Sequence, residues 1–181
     1  MLDYENYPII AAVKRKDLEA ALASEIQAIF LLSSNIMEID ELTKKTHEKG
    51  KLLFIHMDFV DGLSKDAAGV RYLAQKGLDG LISTRSNLIL CARELGLCVI
   101  QRFFMVDSRS VDTALESIRQ TRPDIVEIMP GIAYKAIATV KAHVSVPIIA
   151  GGLIDSKEEI YHALAAGASV ISTGKRALWD M

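Results

Sequence analysis

Short apolar runs alternate with amphipathic segments along all 181 residues of the chain, and this alternation constrains its fold most strongly. Eight runs have the length of buried strands; they span 8–13, 28–32, 51–58, 80–84, 98–104, 124–129, 147–150 and 169–173. The segments between them have helical spacing, and several end in the glycine expected after a helix, as at Gly50 and Gly167. The pattern predicts the α/β class and a closed parallel (β/α)8 barrel, the TIM-barrel architecture.

The length suits a single domain over residues 1–181. Such barrels usually take ~250 residues, so we expect minimal loops here. Only KRALWDM follows the last apolar run, which predicts a vestigial eighth helix, with Trp179 packed on the flank that it leaves open. An incompletely covered flank favours a homo-oligomer. An open flavodoxin-like sheet is the alternative fold.

The charge and composition favour a soluble cytoplasmic protein. The net charge of -2 gives no general attraction to nucleic acid, and solvated surface explains the basic runs at 14–16 and 44–51 better than a local RNA contact does. The N-terminus has no basic segment, and no apolar stretch approaches the ~18 residues that span a bilayer, so we expect no membrane partner. Two cysteines are too few for a disulfide framework.

Two glycine-containing motifs, IIAGGLI and VISTGK, end the seventh and eighth apolar runs. Barrels of this class commonly hold phosphate at these two strand ends. Glycine lets backbone amides approach an anion, while hydroxyls and a lysine add further contacts. The predicted phosphate-binding residues are Gly151, Gly152, Ser172, Thr173, Gly174 and Lys175. The alternative is a pair of ordinary glycine turns.

Charged side chains interrupt otherwise apolar runs near the same end of the predicted barrel. His56 and Asp58 share one strand face, while Arg102 and Glu127 share faces with apolar residues that point inward. Because a buried charge is costly unless paired, we expect Asp58, Arg102 and Glu127 to meet one another or a polar ligand at the mouth. A purely structural ion network explains them nearly as well.

The motif GLISTR ends the fourth apolar run with Thr84 and Arg85. A guanidinium recognises carboxylate or phosphate with two parallel hydrogen bonds, so we place both residues at the ligand mouth. The alternative role is to cap the next helix through Ser86.

The sequence has no metal-binding cluster and no P-loop. A phosphosugar enzyme, whether isomerase, aldolase or lyase, is the rival function, with Asp58 or Glu127 as base and Arg102 as an electrostatic stabiliser. No lysine falls inside a predicted strand near the open end, because Lys51 begins its strand at the closed end.

The motifs HMDFVDGL, GLISTR, VIQRFFMVDS, VEIMPGI and IAGGLI, in this order, resemble the glycerol-3-phosphate responsive antiterminators over residues 8–179. The order is not shared by phosphosugar barrels generally. The resemblance implies a non-enzymatic barrel without a cofactor that takes glycerol 3-phosphate as effector. It also implies contact with the leader mRNA of glycerol genes, which prevents premature termination of transcription.

The resemblance also implies roles for particular residues. Gly151, Gly152, Thr173 and Lys175 would hold the phosphate. The remaining polar residues of the mouth would face the glycerol hydroxyls: His56, Asp58, Arg102 and Glu127.

Overall fold

The computed structural model describes residues 2–180 and contains ten strands and seven α-helices within that range. The strands are β1 (Ile9–Val13), β2 (Ala28–Leu31), β3 (Ser34–Asn35), β4 (Leu52–His56), β5 (Val60–Asp61), β6 (Gly80–Ser83), β7 (Cys98–Phe104), β8 (Ile125–Met129), β9 (Ile148–Gly151) and β10 (Val170–Thr173). The helices are α1 (Leu18–Ala23), α2 (Ile39–Glu48), α3 (Ala67–Ala74), α4 (Ser86–Glu94), α5 (Ser108–Thr121), α6 (Tyr134–Lys141) and α7 (Lys157–Ala165).

Eight of the strands close into a parallel barrel in the order β1-β10-β9-β8-β7-β6-β4-β2, and β2 pairs with β1 to complete the ring. The predicted (β/α)8 barrel is therefore confirmed, and the open flavodoxin-like sheet is wrong. The register sets Arg102 of β7 beside Glu127 of β8, and Ser172 of β10 beside Gly151 of β9. All four residues lie at the middle or in the carboxyl-terminal half of their strands, towards the mouth.

Alternate residues of each strand divide the core into two parts. Inward-facing side chains such as Phe30, Phe54 and Ile100 fill the barrel as one cluster, which is apolar through the middle of the barrel. Outward-facing side chains such as Leu53 and Ile128 pack beneath the helices in a larger cluster. Because the interior is filled, a ligand has space only above this cluster, at the mouth.

The eighth helix is reduced to a single 3-10 turn, Arg176–Leu178, as the short C-terminal segment predicts. Trp179 is buried on this flank, and its indole Nε1 donates to the carbonyl oxygen of Thr173 at 2.9 Å. In the range 2–180, no helix combines the length and the apolar character needed to cross a membrane.

The third predicted strand, 51–58, is wrong at its carboxyl end. Strand β4 stops at His56, and Met57–Phe59 forms a 3-10 turn before the two-residue strand β5. Strand β5 pairs with β3 in a small parallel sheet over the mouth, which the sequence did not predict. The turn removes Asp58 from the strand face that it was expected to share with His56.

Candidate ligand-binding site

A pocket of about 290 Å³ opens at the carboxyl ends of β8, β9 and β10. This is close to the lower end of the usual range for ligand sites and suits a small metabolite. The pocket is lined by Ala12, Leu32, Arg102, Glu127, Met129, Gly152, Leu153, Ile154, Asp155, Ser172, Thr173, Gly174 and Lys175. Five of the six predicted phosphate-binding residues line it, and Gly151 lies beneath.

A buried carboxylate forms the floor of this pocket. Arg102 Nε donates to Glu127 Oε2 at 2.6 Å, and Ser172 Oγ donates to Glu127 Oε1 at 2.7 Å. A Cβ on Gly151 would lie 2.5 Å from both Glu127 Oε1 and Ser172 Oγ, so only glycine leaves room for this arrangement. The two strand neighbours Arg102 and Glu127 thus satisfy each other, and Ser172 completes the group.

The turn after β9 has an unusual backbone. Gly152 has φ +75°, and a Cβ there would lie 2.6 Å from Met129 Cε. Leu153 follows with φ +57°, a left-handed conformation that is uncommon for a non-glycine residue, and its side chain is exposed. Strained backbone of this kind clusters at ligand sites, where the surrounding structure holds it in place.

The turn after β10 is joined to the turn after β9 through Thr173. Its hydroxyl donates to the carbonyl oxygen of Ile154 at 2.9 Å and accepts from the Lys175 amide at 3.0 Å. The hydroxyls of Thr173 and Ser172 therefore already have partners within the protein. Gly174 and Lys175 are exposed beside the pocket, and they offer backbone and a side-chain charge to a bound anion.

Asp58 organises a second polar group at the ends of β4 and β6. Ser83 Oγ and the Thr84 amide donate to Asp58 Oδ2 at 2.9 and 3.1 Å, and Arg85 Nε lies 3.1 Å from Asp58 Oδ1. We expected Asp58 to meet Arg102 and Glu127 or a polar ligand; direct contact with these two residues is wrong, because the turn after β4 carries Asp58 to Arg85.

The alternative role for Ser86, capping the next helix, is also wrong. Arg85 occupies the N-cap position of α4, and its amide donates to Ser83 Oγ at 3.1 Å. Ser86 Oγ instead accepts a hydrogen bond from the side-chain Nε2 of Gln101 at 3.2 Å, on the outer face of the barrel.

His56 lies between the two polar groups and is only 1% exposed. Burial, and after it the positive charge of Arg102, lower the pKa of its imidazole to about 4, and Asp58 only partly opposes them. The ring is therefore neutral at physiological pH. Its Nδ1 is 3.5 Å from Asp58 Oδ2, and the ring packs against Phe59.

Several buried polar atoms at the mouth lack a hydrogen-bond partner. Among residues 2–180 these atoms are Ser34 Oγ, His56 Nδ1, His56 Nε2 and Asp58 Oδ1. Asp58 Oδ1 lies close to Arg85 Nε, but the N–H does not point at it. All belong to the ends of the neighbouring strands β2 and β4 or to the segments that follow them. Buried groups of this kind normally have a partner, so their concentration marks a place for a hydroxyl or a water molecule.

Sequence reasoning missed the apolar part of the pocket, including Leu32, Met129 and Leu153, because a single apolar residue in a loop gives no chemical signal. A larger open groove of about 650 Å³ lies outside the barrel, between the starts of α5 and α6, and none of the buried polar side chains lines it. We therefore place the site at the mouth. No cluster of potential metal ligands occurs in the part of the chain that the structure describes.

The barrel itself is shared widely. Deoxyribose phosphate aldolase from Aeropyrum pernix superposes with a TM-score of 0.71 over 94% of this chain and 86% of its own, at 15% sequence identity. At this identity the likeness shows the fold alone.

Two closer comparisons and a family match cover nearly the whole chain. The chain is 36% identical over 176 residues to the uncharacterized protein YgcP of Escherichia coli K12, and this match covers 96% of the chain and 92% of YgcP. The glycerol uptake operon antiterminator regulatory protein from Listeria monocytogenes superposes with a TM-score of 0.94 at 32% identity, over 98% of this chain and 97% of its own. Residues 9–179 match the family described as glycerol-3-phosphate responsive antiterminator. The chain therefore belongs to the glycerol-3-phosphate responsive antiterminator family.

Proposed function

We propose that this protein is a sensor of glycerol 3-phosphate that binds the leader mRNA of glycerol uptake genes and prevents termination of transcription. The observation that carries the proposal is the pocket of about 290 Å³ beside Gly152 and Lys175, in a chain of the antiterminator family. In this proposal the whole chain forms one domain, and the protein is cytoplasmic.

The phosphate would occupy the side of the pocket formed by the turns after β9 and β10. Gly152 lets the backbone approach the ligand without a Cβ, and Lys175 supplies a positive charge at the rim. Oriented backbone amides and a nearby lysine are a recurring combination in phosphate sites. Ser172 and Thr173 act here chiefly by fixing Glu127 and the two turns.

Arg102 is placed to contact the ligand from the floor. Its Nε is used by Glu127, and the terminal guanidinium nitrogens make no hydrogen bond to any residue in 2–180. The buried carboxylate of Glu127 orients the guanidinium, so the remaining donors are held in one geometry before the ligand arrives. Such preorganisation reduces the entropy that binding costs.

The glycerol hydroxyls would reach the unpartnered polar atoms on the opposite side of the mouth. His56 is neutral, so one ring nitrogen donates and the other accepts, which suits a hydroxyl group. Asp58 Oδ1 and Ser34 Oγ add acceptors in the same sector. This part of the site would distinguish glycerol 3-phosphate from phosphate alone, because only the former fills both sides.

The RNA part of the proposal is tested by a gel shift at fixed salt. The probe is the leader transcript that precedes the glycerol uptake genes in the genome encoding this chain. We expect glycerol 3-phosphate to change its affinity, because a ligand that binds two states unequally shifts their populations. Equal affinity with and without glycerol 3-phosphate would show that the protein does not sense it.

A phosphosugar enzyme remains the rival function. Aldolases of the Schiff-base type need a lysine inside the barrel, whereas none of the ten strands described here contains one. Lys51 is buried, but at the opposite end, where its Nζ donates to the carbonyl oxygen of Ser24 at 2.6 Å. Glu127 is held by two partners, which favours an orienting role. Turnover of a triose or pentose phosphate would establish the rival.

The flank with the reduced eighth helix supports a homo-oligomer. The turn Arg176–Leu178 and Trp179 cover the barrel between α7 and α1 in place of a full helix. Light scattering on the purified protein gives the mass in solution, and a monomer at micromolar concentration would contradict this part of the proposal.

A further inference from the structure

Exposed apolar side chains are concentrated around the mouth. Six of the large exposed apolar residues lie in the loops that follow barrel strands or at a strand end there: Met37, Phe59, Phe104, Val106, Ile132 and Leu153. Phe59 is 57% exposed and Phe104 is 56% exposed. A contiguous group of exposed apolar residues commonly marks an interaction surface.

The two phenylalanines flank an arginine. Phe59 follows β4, Arg85 follows β6 and Phe104 ends β7, and these three strands are neighbours in the barrel. The side chain of Arg85 is 52% exposed. Neighbouring strands lie ~4.8 Å apart, so these three residues follow one another in order along one edge of the mouth. We call these three residues the stacking edge.

Basic side chains lie on the other side of the mouth. Lys14 and Lys16 follow β1, and Lys175 follows β10, the strand next to it. All three are exposed, and none makes an ion pair within residues 2–180. These three lysines give a polyanion a local site of attraction on this side of the mouth.

We infer that single-stranded RNA binds across the mouth, with bases on the stacking edge and backbone phosphates on the lysines that follow β1. Unpaired RNA bases stack on aromatic rings and on arginine planes, and lysines neutralise the phosphates between them. This inference rests on the proposed function, because it names the surface through which a sensor of this family would contact its transcript.

The stacking edge is connected to the ligand site through Asp58. This carboxylate lies 3.1 Å from Arg85 Nε and 3.5 Å from the ring of His56. A ligand hydroxyl at His56 would therefore alter the hydrogen bonding around Asp58, which also holds Arg85. RNA across the mouth also covers the pocket, so that each ligand affects the other's release, as reciprocal coupling requires.

The test measures RNA affinity by fluorescence anisotropy, with the leader transcript as probe and glycerol 3-phosphate present. Phe59→Ala and Phe104→Ala should each weaken binding about tenfold. Tyr161→Ala is the matched control, since Tyr161 is an exposed aromatic residue on α7, and it should leave affinity unchanged. Lys16→Ala should weaken binding and reduce its salt dependence, whereas Lys49→Ala, at the closed end, should not.

The outcomes separate this inference from the proposed function. If wild type binds the transcript and the two phenylalanine variants bind equally well, the surface is wrong and the proposed function stands. If wild type does not bind the transcript with or without glycerol 3-phosphate, the RNA function itself is wrong, and this inference falls with it. If the phenylalanine variants change the oligomeric mass and not RNA affinity, the edge is a subunit interface and RNA does not bind there.

Discussion

Arg102 Nε lies 2.6 Å from Glu127 Oε2, and the two side chains are 6% and 0% exposed at the top of an otherwise apolar barrel interior. Removing one partner from a buried ion pair leaves the other charge without compensation, which typically costs 3–5 kcal/mol. The pair therefore sets both the stability of the barrel and the shape of the pocket floor.

Arg102→Met should lower the free energy of unfolding by about 3–5 kcal/mol, because it leaves the Glu127 carboxylate buried with only Ser172 as a donor. The double variant Arg102→Met/Glu127→Leu should be less destabilised than the sum of the single changes. Urea unfolding measures each value. Arg15→Met removes a partly exposed pair with Glu38 and should cost less than about 1 kcal/mol. Strict additivity of the two buried changes would contradict the coupling.

Gly152→Ala should weaken binding of glycerol 3-phosphate. The new Cβ meets Met129 Cε at 2.6 Å, so the Met129 side chain, which lines the same pocket, must move. Gly50→Ala is the matched control: its φ is +68°, close to the +75° of Gly152, but nothing lies within 4 Å of the added carbon. Both variants should lose about 1 kcal/mol of stability from the left-handed backbone, and only Gly152→Ala should lose affinity in calorimetry.

His56 should make stability depend on pH in acid. Its pKa is about 4 in the folded protein against 6.5 in the unfolded chain. Between these values the unfolded chain binds the extra proton, so stability falls as the pH drops from about 6.5 towards 4. Between pH 7 and 4.5, wild type should lose roughly 2–3 kcal/mol more than His56→Asn in urea unfolding. Parallel pH profiles for the two proteins would show that His56 does not titrate in this way.

Lys175→Ala should weaken binding of glycerol 3-phosphate about tenfold or more, because the variant removes a charge at the rim of the pocket. Binding of glycerol alone should change little. Lys157→Ala, on the exposed surface of α7, is the control and should bind as wild type does. If both lysine variants weaken binding equally, only the general charge of the surface matters.

The barrel follows from the sequence because its signal repeats eight times. Alternation of apolar runs and helical spacing predicts the barrel strands to within two residues at each end, and strand parity correctly turns Arg102 and Glu127 inward. These are local and periodic properties, and they do not depend on how distant segments meet.

The polar groups of the mouth are less predictable. Asp58 joins Arg85 because a 3-10 turn interrupts the strand period at Met57–Phe59, and the sequence there still reads as a strand. Leu153 adopts φ +57° although leucine gives no sign of a left-handed turn. Both features depend on tertiary packing, which overrides the local pattern.

Calorimetric titration of the wild-type protein tests the central claim, that the mouth is a site for glycerol 3-phosphate. Glycerol 3-phosphate, glycerol and inorganic phosphate are titrated in turn under one buffer and salt condition. We predict that glycerol 3-phosphate binds at least tenfold more tightly than either fragment, because it alone offers a phosphate for Lys175 together with hydroxyl groups for His56. Binding of glycerol 3-phosphate no tighter than that of inorganic phosphate would contradict the account.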